Sequence, residues 1–199
     1  MGAGRQRTFD KEDALVKAME VFWQKGFSGT SLSDLTEAMG INKPSLYAAF
    51  GNKEELFVSA LNRYVNAHGA PHFDKLLNPK SSFPKRMRAY LESIAEMLSD
   101  TKLPGGCFVT TSTCEAGSNC LPEEAIQTIL KINATSIDAF INFFKDEKAK
   151  GNLPSKASPE VFADYLLTLQ FGLAVMARNG IKRDRLNLVI GHAVSSFIK

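Results

Sequence analysis

The chain has 199 residues, of which 44% are hydrophobic and 23% charged, and a net charge of +3. Those figures describe an ordinary globular protein of one large or two small domains, and the small positive charge permits nucleic-acid binding without demanding it. No run approaches the roughly 18 uninterrupted apolar residues of a membrane span, and no apolar stretch follows Arg5 and Arg7 as an export signal requires. The expected location is therefore the cytoplasm, with no membrane partner. The three cysteines, Cys107, Cys114 and Cys120, are an odd count in such a chain, which argues against a disulfide framework.

The pattern is helical throughout, and an all-α fold of about nine helices is expected. The first helix is predicted from Lys11 to Lys25, capped by Asp10 and stopped by Gly26, with Leu15, Ala18, Met19, Phe22 and Trp23 as its apolar stripe. A second, short helix starts near Ser31, with Asp34 in capping-box spacing, and ends at Gly40. A third begins at Pro44 and ends at Gly51. Asn52 caps a fourth, predicted over 53–68, with Glu55 at its third position. The stretch from Gly69 to Pro84 holds Pro71, Pro79 and Pro84 and is predicted as a break between halves.

A fifth helix carries Met87, Tyr90, Leu91, Ile94 and Leu98. Leu103-Pro104-Gly105-Gly106 is a turn, and a sixth helix spans roughly Cys107 to Ala116. Pro122 opens a long seventh helix through Phe144. The eighth runs from Ser158-Pro159-Glu160 to Asn179-Gly180, and the ninth from about Arg183 to the end.

The most informative segment is Thr30 to Phe57. Two helices too short to be stable alone flank Gly40-Ile41-Asn42-Lys43, the arrangement of a helix-turn-helix whose second helix enters the major groove. The run from Thr30 to Leu56, with Ser45-Leu46-Tyr47 followed by Phe50 and Lys53, resembles the DNA-binding domain of the TetR (tetracycline-repressor) family. Ala18, Phe22, Gly26 and Phe27 upstream fit the same pattern. The resemblance covers the first quarter to third of the chain.

It implies an N-terminal helix-turn-helix domain over 1–52 and an effector-binding and dimerisation domain over 53–199. It also implies a regulator that acts as a homodimer on double-stranded operator DNA. The expected DNA contacts are Thr30 and Ser31 at a helix N-terminus suited to phosphate, and Lys43, Pro44, Ser45 and Tyr47 at the start of the recognition helix. Lys53 is expected on the backbone, with Arg5 and Arg7 as an arm. Basic and acidic residues balance across 1–68, so each subunit should bind weakly and two half-sites should be needed.

The eighth and ninth helices are apolar nearly all round and are expected to pair with their copies. The expected interface is Tyr165, Leu169, Gly172, Val175, Met176, Leu186, Val189, Ile190, Ala193, Val194 and Phe197. An effector pocket is expected from Met87, Tyr90, Cys107, Phe108, Thr111, Cys114, Phe140, Phe144, Leu169 and Phe171, whose aromatic content suits an apolar or aromatic small molecule.

Cys107 falls near a helix N-terminus, where the dipole favours thiolate. The cysteines are open to three readings: inert packing, sensing of electrophiles or oxidants, and soft-metal binding. Their spacing matches no familiar zinc pattern, so no metal and no cofactor are expected. No nucleophile triad or phosphate-cradling loop is present, and Pro71 between His68 and His72 argues against a helical ligand pair. An enzyme is therefore not expected. The leading reading is a repressor released from a palindromic operator by a small molecule or thiol-reactive agent. An activator, or a helical adaptor without DNA, is the alternative.

Overall fold

The computed structural model describes residues 9–117 and 120–198. Among them it is all-α, with ten α-helices and one π turn. Helix α1 (Lys11–Lys25) starts where the Asp10 carboxylate accepts from the amides of Glu12 and Asp13 at 2.8 and 3.0 Å. It stops at Gly26, whose φ of 72° only glycine adopts without strain. α2 (Leu32–Met39), α3 (Lys43–Phe50) and α4 (Lys53–Tyr64) follow. Ser31–Asp34 and Asn52–Glu55 form the capping boxes of α2 and α4, and Asn42 caps α3 by accepting from the Ser45 amide.

These four helices share a core of Ala18, Phe22, Trp23, Leu35, Leu46 and Phe57. Phe22 meets Phe57 edge-on at 5.1 Å, and Trp23 meets Tyr64 edge-on at 4.8 Å. The core continues through Tyr64 and takes in Phe108, Leu121, Ala125 and Ile129 from the C-terminal half. The head is therefore bolted onto the rest of the molecule.

The break expected at 69–84 is mostly helix. α4 runs without interruption into a π turn (Val65–Gly69) and then α5 (Ala70–Leu77). Pro71 is tolerated because it falls in the first turn of α5, where an amide donor is not required. Only 78–82 forms the connection to α6 (Phe83–Leu98).

α7 (Phe108–Ala116), α8 (Glu123–Ala149), α9 (Pro159–Arg178) and α10 (Arg183–Ser196) correspond to the sixth to ninth helices of the sequence. A second core, with Met87, Leu91, Phe144, Leu166, Ile190 and Phe197, joins α5, α6, α8, α9 and α10. It is braced by a buried ion pair. Arg86 donates to Glu147 at 3.1 and 2.5 Å and to the Leu76 carbonyl at 2.7 Å, tying α6, α8 and the end of α5 together.

Candidate nucleic-acid interface and ligand cavity

α3 divides into two faces. Leu46 and Phe50 point inward, while Lys43, Pro44, Tyr47 and Ala48 lie exposed on the outside. An eight-residue helix has little stability of its own, so the inward pair fixes its position. Tyr47 is 48% exposed, an aromatic ring set on the surface with no core role. Ser45 is half-buried, and its amide is taken by Asn42 at 2.8 Å.

The other expected contacts are placed differently. Thr30 is only 2% exposed, and its hydroxyl donates to the Gly26 carbonyl at 2.6 Å. It closes the end of α1 instead of facing solvent, because a carbonyl at a helix terminus needs a partner. Ser31 is exposed, with its hydroxyl donating to Asp34 at 2.8 Å. Lys25 lies 2.6 Å from Asp34 and, with the Ser31 amide, holds that carboxyl well below the usual range. Lys53 is half-buried, with its ammonium 4.1 Å above the Phe27 ring. Burial pushes its pKa down against the opposing pull of Glu54 and Glu115. To reach a phosphate it must leave that ring. Arg5 and Arg7 lie outside the described residues.

Behind the head, α4, the π turn, α5, α6, α7, α8 and α9 enclose a cavity of about 380 Å³. Of the residues expected to line it, Tyr90, Cys107, Phe140 and Phe171 do so. The others are placed elsewhere. Met87 is fully packed in the second core, and Phe144 stacks on Phe197. Phe108 belongs to the head core, edge-on to Phe57 and Tyr64. Thr111 turns its hydroxyl back to the Cys107 carbonyl at 3.1 Å. Cys114 is exposed, and Leu169 lies on an outer groove with Tyr165, Leu188 and His192.

The sequence reading missed the polar part of the wall: Tyr64, His68, His72, Asn133 and Gln170. His72 Nδ1 is 3.0 Å from the Ser93 hydroxyl, which itself donates to the Tyr90 carbonyl at 2.7 Å. Ser93 has therefore spent its proton, so Nδ1 of His72 is the donor and Nε2 of the neutral ring is an acceptor. Burial, then the neighbouring His68 and Lys75, lower the pKa of His72; burial and Arg63 lower that of His68. His68 stacks on Tyr64 at 5.3 Å and packs against Trp23 at 5.4 Å.

Burial also raises the Tyr64 and Tyr90 hydroxyls, and Cys107 beside them adds to the effect. Gln170 Nε2 is buried beside the Tyr90 hydroxyl, whose pKa it pulls down against the effect of burial. Among the described residues the wall contains no lysine, arginine or glutamate, and its one acid, Asp74, is exposed. Among the described residues no group of three or more His, Cys, Asp or Glu could hold a metal ion.

On the far side, α9 shows an apolar stripe of Val161, Tyr165, Leu169, Gly172 and Val175, and α10 adds Leu188 and Val189. Val175 is 49% and Leu188 76% exposed. Leu186, Ile190, Ala193, Val194 and Phe197, expected at an interface, are instead buried within the subunit. They face the second core, where α10 packs on α6 and α9.

The sequence profile of the bacterial regulatory proteins of the tetR family matches residues 14–60. The chain is 39% identical over 183 residues to the HTH-type transcriptional repressor BdcR of Escherichia coli (strain K12), covering 92% of this chain and 86% of that one. The chain belongs to the tetR family. It is 32% identical over 192 residues to the HTH-type transcriptional repressor ComR of the same organism, with 94% and 89% covered. Its fold superposes with a TM-score of 0.87, at 36% identity, on a cysteine-substituted TetR-family regulator, CifR, in complex with a 26-bp double-strand operator DNA. That match spans 98% of this chain and all of the other. This tetR-family protein is a DNA-binding transcriptional regulator carrying the helix-turn-helix of α2 and α3.

Proposed function

We propose that the chain is a homodimeric repressor whose α3 helices read a palindromic operator and which is released when a neutral, largely apolar or aromatic molecule occupies the cavity. The observation that carries this reading is the continuity of one helical rod. α4 packs in the head core, and the same rod, through the π turn and α5, forms a wall of the cavity. A ligand that prefers one attitude of that rod shifts the population of head orientations by its differential affinity and by nothing else.

The curated relatives named as repressors and the operator-bound CifR structure support the same direction. Dimerisation is supported by α9. It is apolar and long, yet only 22% of its most apolar stretch is buried within one subunit. An exposed stripe of this kind calls for a partner, and a two-fold copy matches a palindrome.

The absence of Lys, Arg and Glu from the wall, with both histidines biased neutral, selects an uncharged ligand. A charged one would be stripped of water without compensation. Asn133, Gln170 and His72 Nε2 supply orienting hydrogen bonds. Cys107 on the wall favours a second route to the same release, addition of the thiol to an electrophile. Cys114 and Cys120 are exposed and stand apart from that wall.

The test is a salt-controlled titration of the protein against palindromic duplexes, with and without uncharged aromatic compounds. Tight, salt-sensitive binding that such a compound weakens is expected. Binding indifferent to every uncharged compound and thiol reagent would remove the sensor role.

A further inference from the structure

Besides the apolar core it shares with α7 and α8, the head is gripped from behind by two charged side chains far away in sequence. Glu115, in the last turn of α7, accepts hydrogen bonds from the amides of Phe27 and Ser28 at 2.9 and 3.3 Å. Arg178, the last residue of α9, donates to the carbonyls of Trp23 and Gln24 at 3.2 and 2.7 Å. An anion thus takes the amides of the turn after α1, and a cation takes the terminal carbonyls of α1 itself. Each charge matches the local backbone dipole.

The sequence is fitted to this contact. A Cβ on Gly26 would lie 2.6 Å from a Glu115 carboxylate oxygen, so only glycine lets Glu115 close in. At the other end of α7, a Cβ on Gly106 would meet the Arg178 Cβ at 3.0 Å, so the loop entering α7 rests on Arg178. Between these ends, Cys107, Val109 and Thr110 line the cavity while Phe108 is buried in the head core. α7 and the two residues that lead into it therefore touch the cavity, the head core and both grips.

We propose that Glu115 and Arg178 form a charged clamp that sets the attitude of the helix-turn-helix, and that α7 is the lever by which an occupied cavity opens it. The two are positioning residues, not DNA contacts. The inference rests on the regulator reading above for its consequence, but its mechanical content can be measured without DNA. Opening the clamp exposes the Phe27 and Ser28 amides and frees each head to tilt. The operator must then reorder both heads at once.

The experiment uses the full chain with Cys114→Ser and Cys120→Ser as background, hydrogen exchange of the peptide spanning 26–30, and titration of a palindromic duplex selected with the background protein. Glu115→Ala should exchange faster at Phe27 and Ser28 and bind the duplex at least tenfold more weakly, since two charge-assisted hydrogen bonds per subunit are lost. Arg178→Lys, which cannot span two carbonyls with a planar fork, should weaken binding in the same direction. Alkylation of Cys107 with N-ethylmaleimide should speed exchange at the same two amides. Glu115→Gln keeps the side chain's shape and one neutral acceptor, so it should fold even if the alanine variant does not, and fall between.

Exchange at Phe27 and Ser28 unchanged in the Glu115 variants would overturn the clamp. Exchange that responds to those variants but not to Cys107 alkylation would overturn the lever. A background protein that binds no palindromic duplex would sink the regulator reading, while the exchange result would still decide the clamp.

Discussion

Leu46 and Tyr47 are adjacent on α3 yet should fail in opposite ways. Leu46 is 0% exposed and is one of only two buried residues holding an eight-residue helix to the head. Truncation to alanine removes its burial and leaves a cavity, at a cost of about 2–5 kcal/mol. In a chain of this size ~1 kcal/mol moves the melting point by roughly 2–4 °C, so Leu46→Ala should melt about 6–12 °C low for a mid-range loss of ~3 kcal/mol. Tyr47 is half exposed and packs little, so Tyr47→Ala should stay within about 0.5 kcal/mol of the parent. Its cost should appear on DNA instead. One lost hydrogen bond of ~1 kcal/mol in each of two subunits gives ~2 kcal/mol, or about thirtyfold in operator affinity. Thermal denaturation by circular dichroism and anisotropy titration of a labelled palindromic duplex read the two effects separately. A Tyr47→Ala protein that melts normally and binds the duplex as tightly as the parent would refute the assignment of this face to DNA.

Other outcomes follow from the same geometry. Because burial lowers the pKa of His68 and His72, the unfolded chain binds more protons than the folded one as pH falls below about 6.5. Stability should therefore be full above that pH and decline towards pH 5, and His68→Gln with His72→Gln should flatten the decline in melting temperature. Arg86→Ala removes the buried partner of Glu147, whose carboxyl is raised by burial but brought down further by Arg86, Lys150 and Asn152, and leaves it only the hydrogen bonds from Lys150 and Asn152. Because those two partners remain, a loss of about 2–3 kcal/mol in denaturant unfolding is expected, below the full cost of an unpaired buried charge. Val175→Asp puts a charge in the exposed α9 stripe and should yield folded single subunits by sedimentation. Gly26→Ala should weaken operator binding as Glu115→Ala does, since its Cβ occupies the place of that carboxylate.

Much of the fold was legible in the sequence because its boundaries are written in local chemistry. Asp10, Ser31 and Asn52 cap the helices they were expected to cap, the helix expected to start at Ser158 does so, and Gly26, Gly40 and Gly51 end theirs. Pro71 misled the reading because a proline ends a helix only where its missing amide matters, and here it sits in the first turn beyond a π turn. That error hid the histidine part of the cavity wall, since it put His72 inside a break and Pro71 between it and His68. Gln170 carried a signal that could have been used: a lone amide among Leu166, Leu167, Leu169, Phe171 and Leu173 needs a reason to be there. Thr30 looked like a phosphate contact because sequence shows that a hydroxyl begins a helix, not which carbonyl it meets. Glu115 and Arg178 gave no signal at all, because their partners are backbone groups of residues about 90 and 155 positions away.

The account stands on paired α3 helices meeting successive major grooves. Selection of bound duplexes from a randomised library, followed by native mass spectrometry of the selected complex, tests this most directly. An inverted repeat with half-site centres about 10 base pairs apart, carrying chains in pairs of 21.8 kDa subunits, is expected. Enrichment of a sequence without two-fold symmetry, or a single subunit on the duplex, would contradict it.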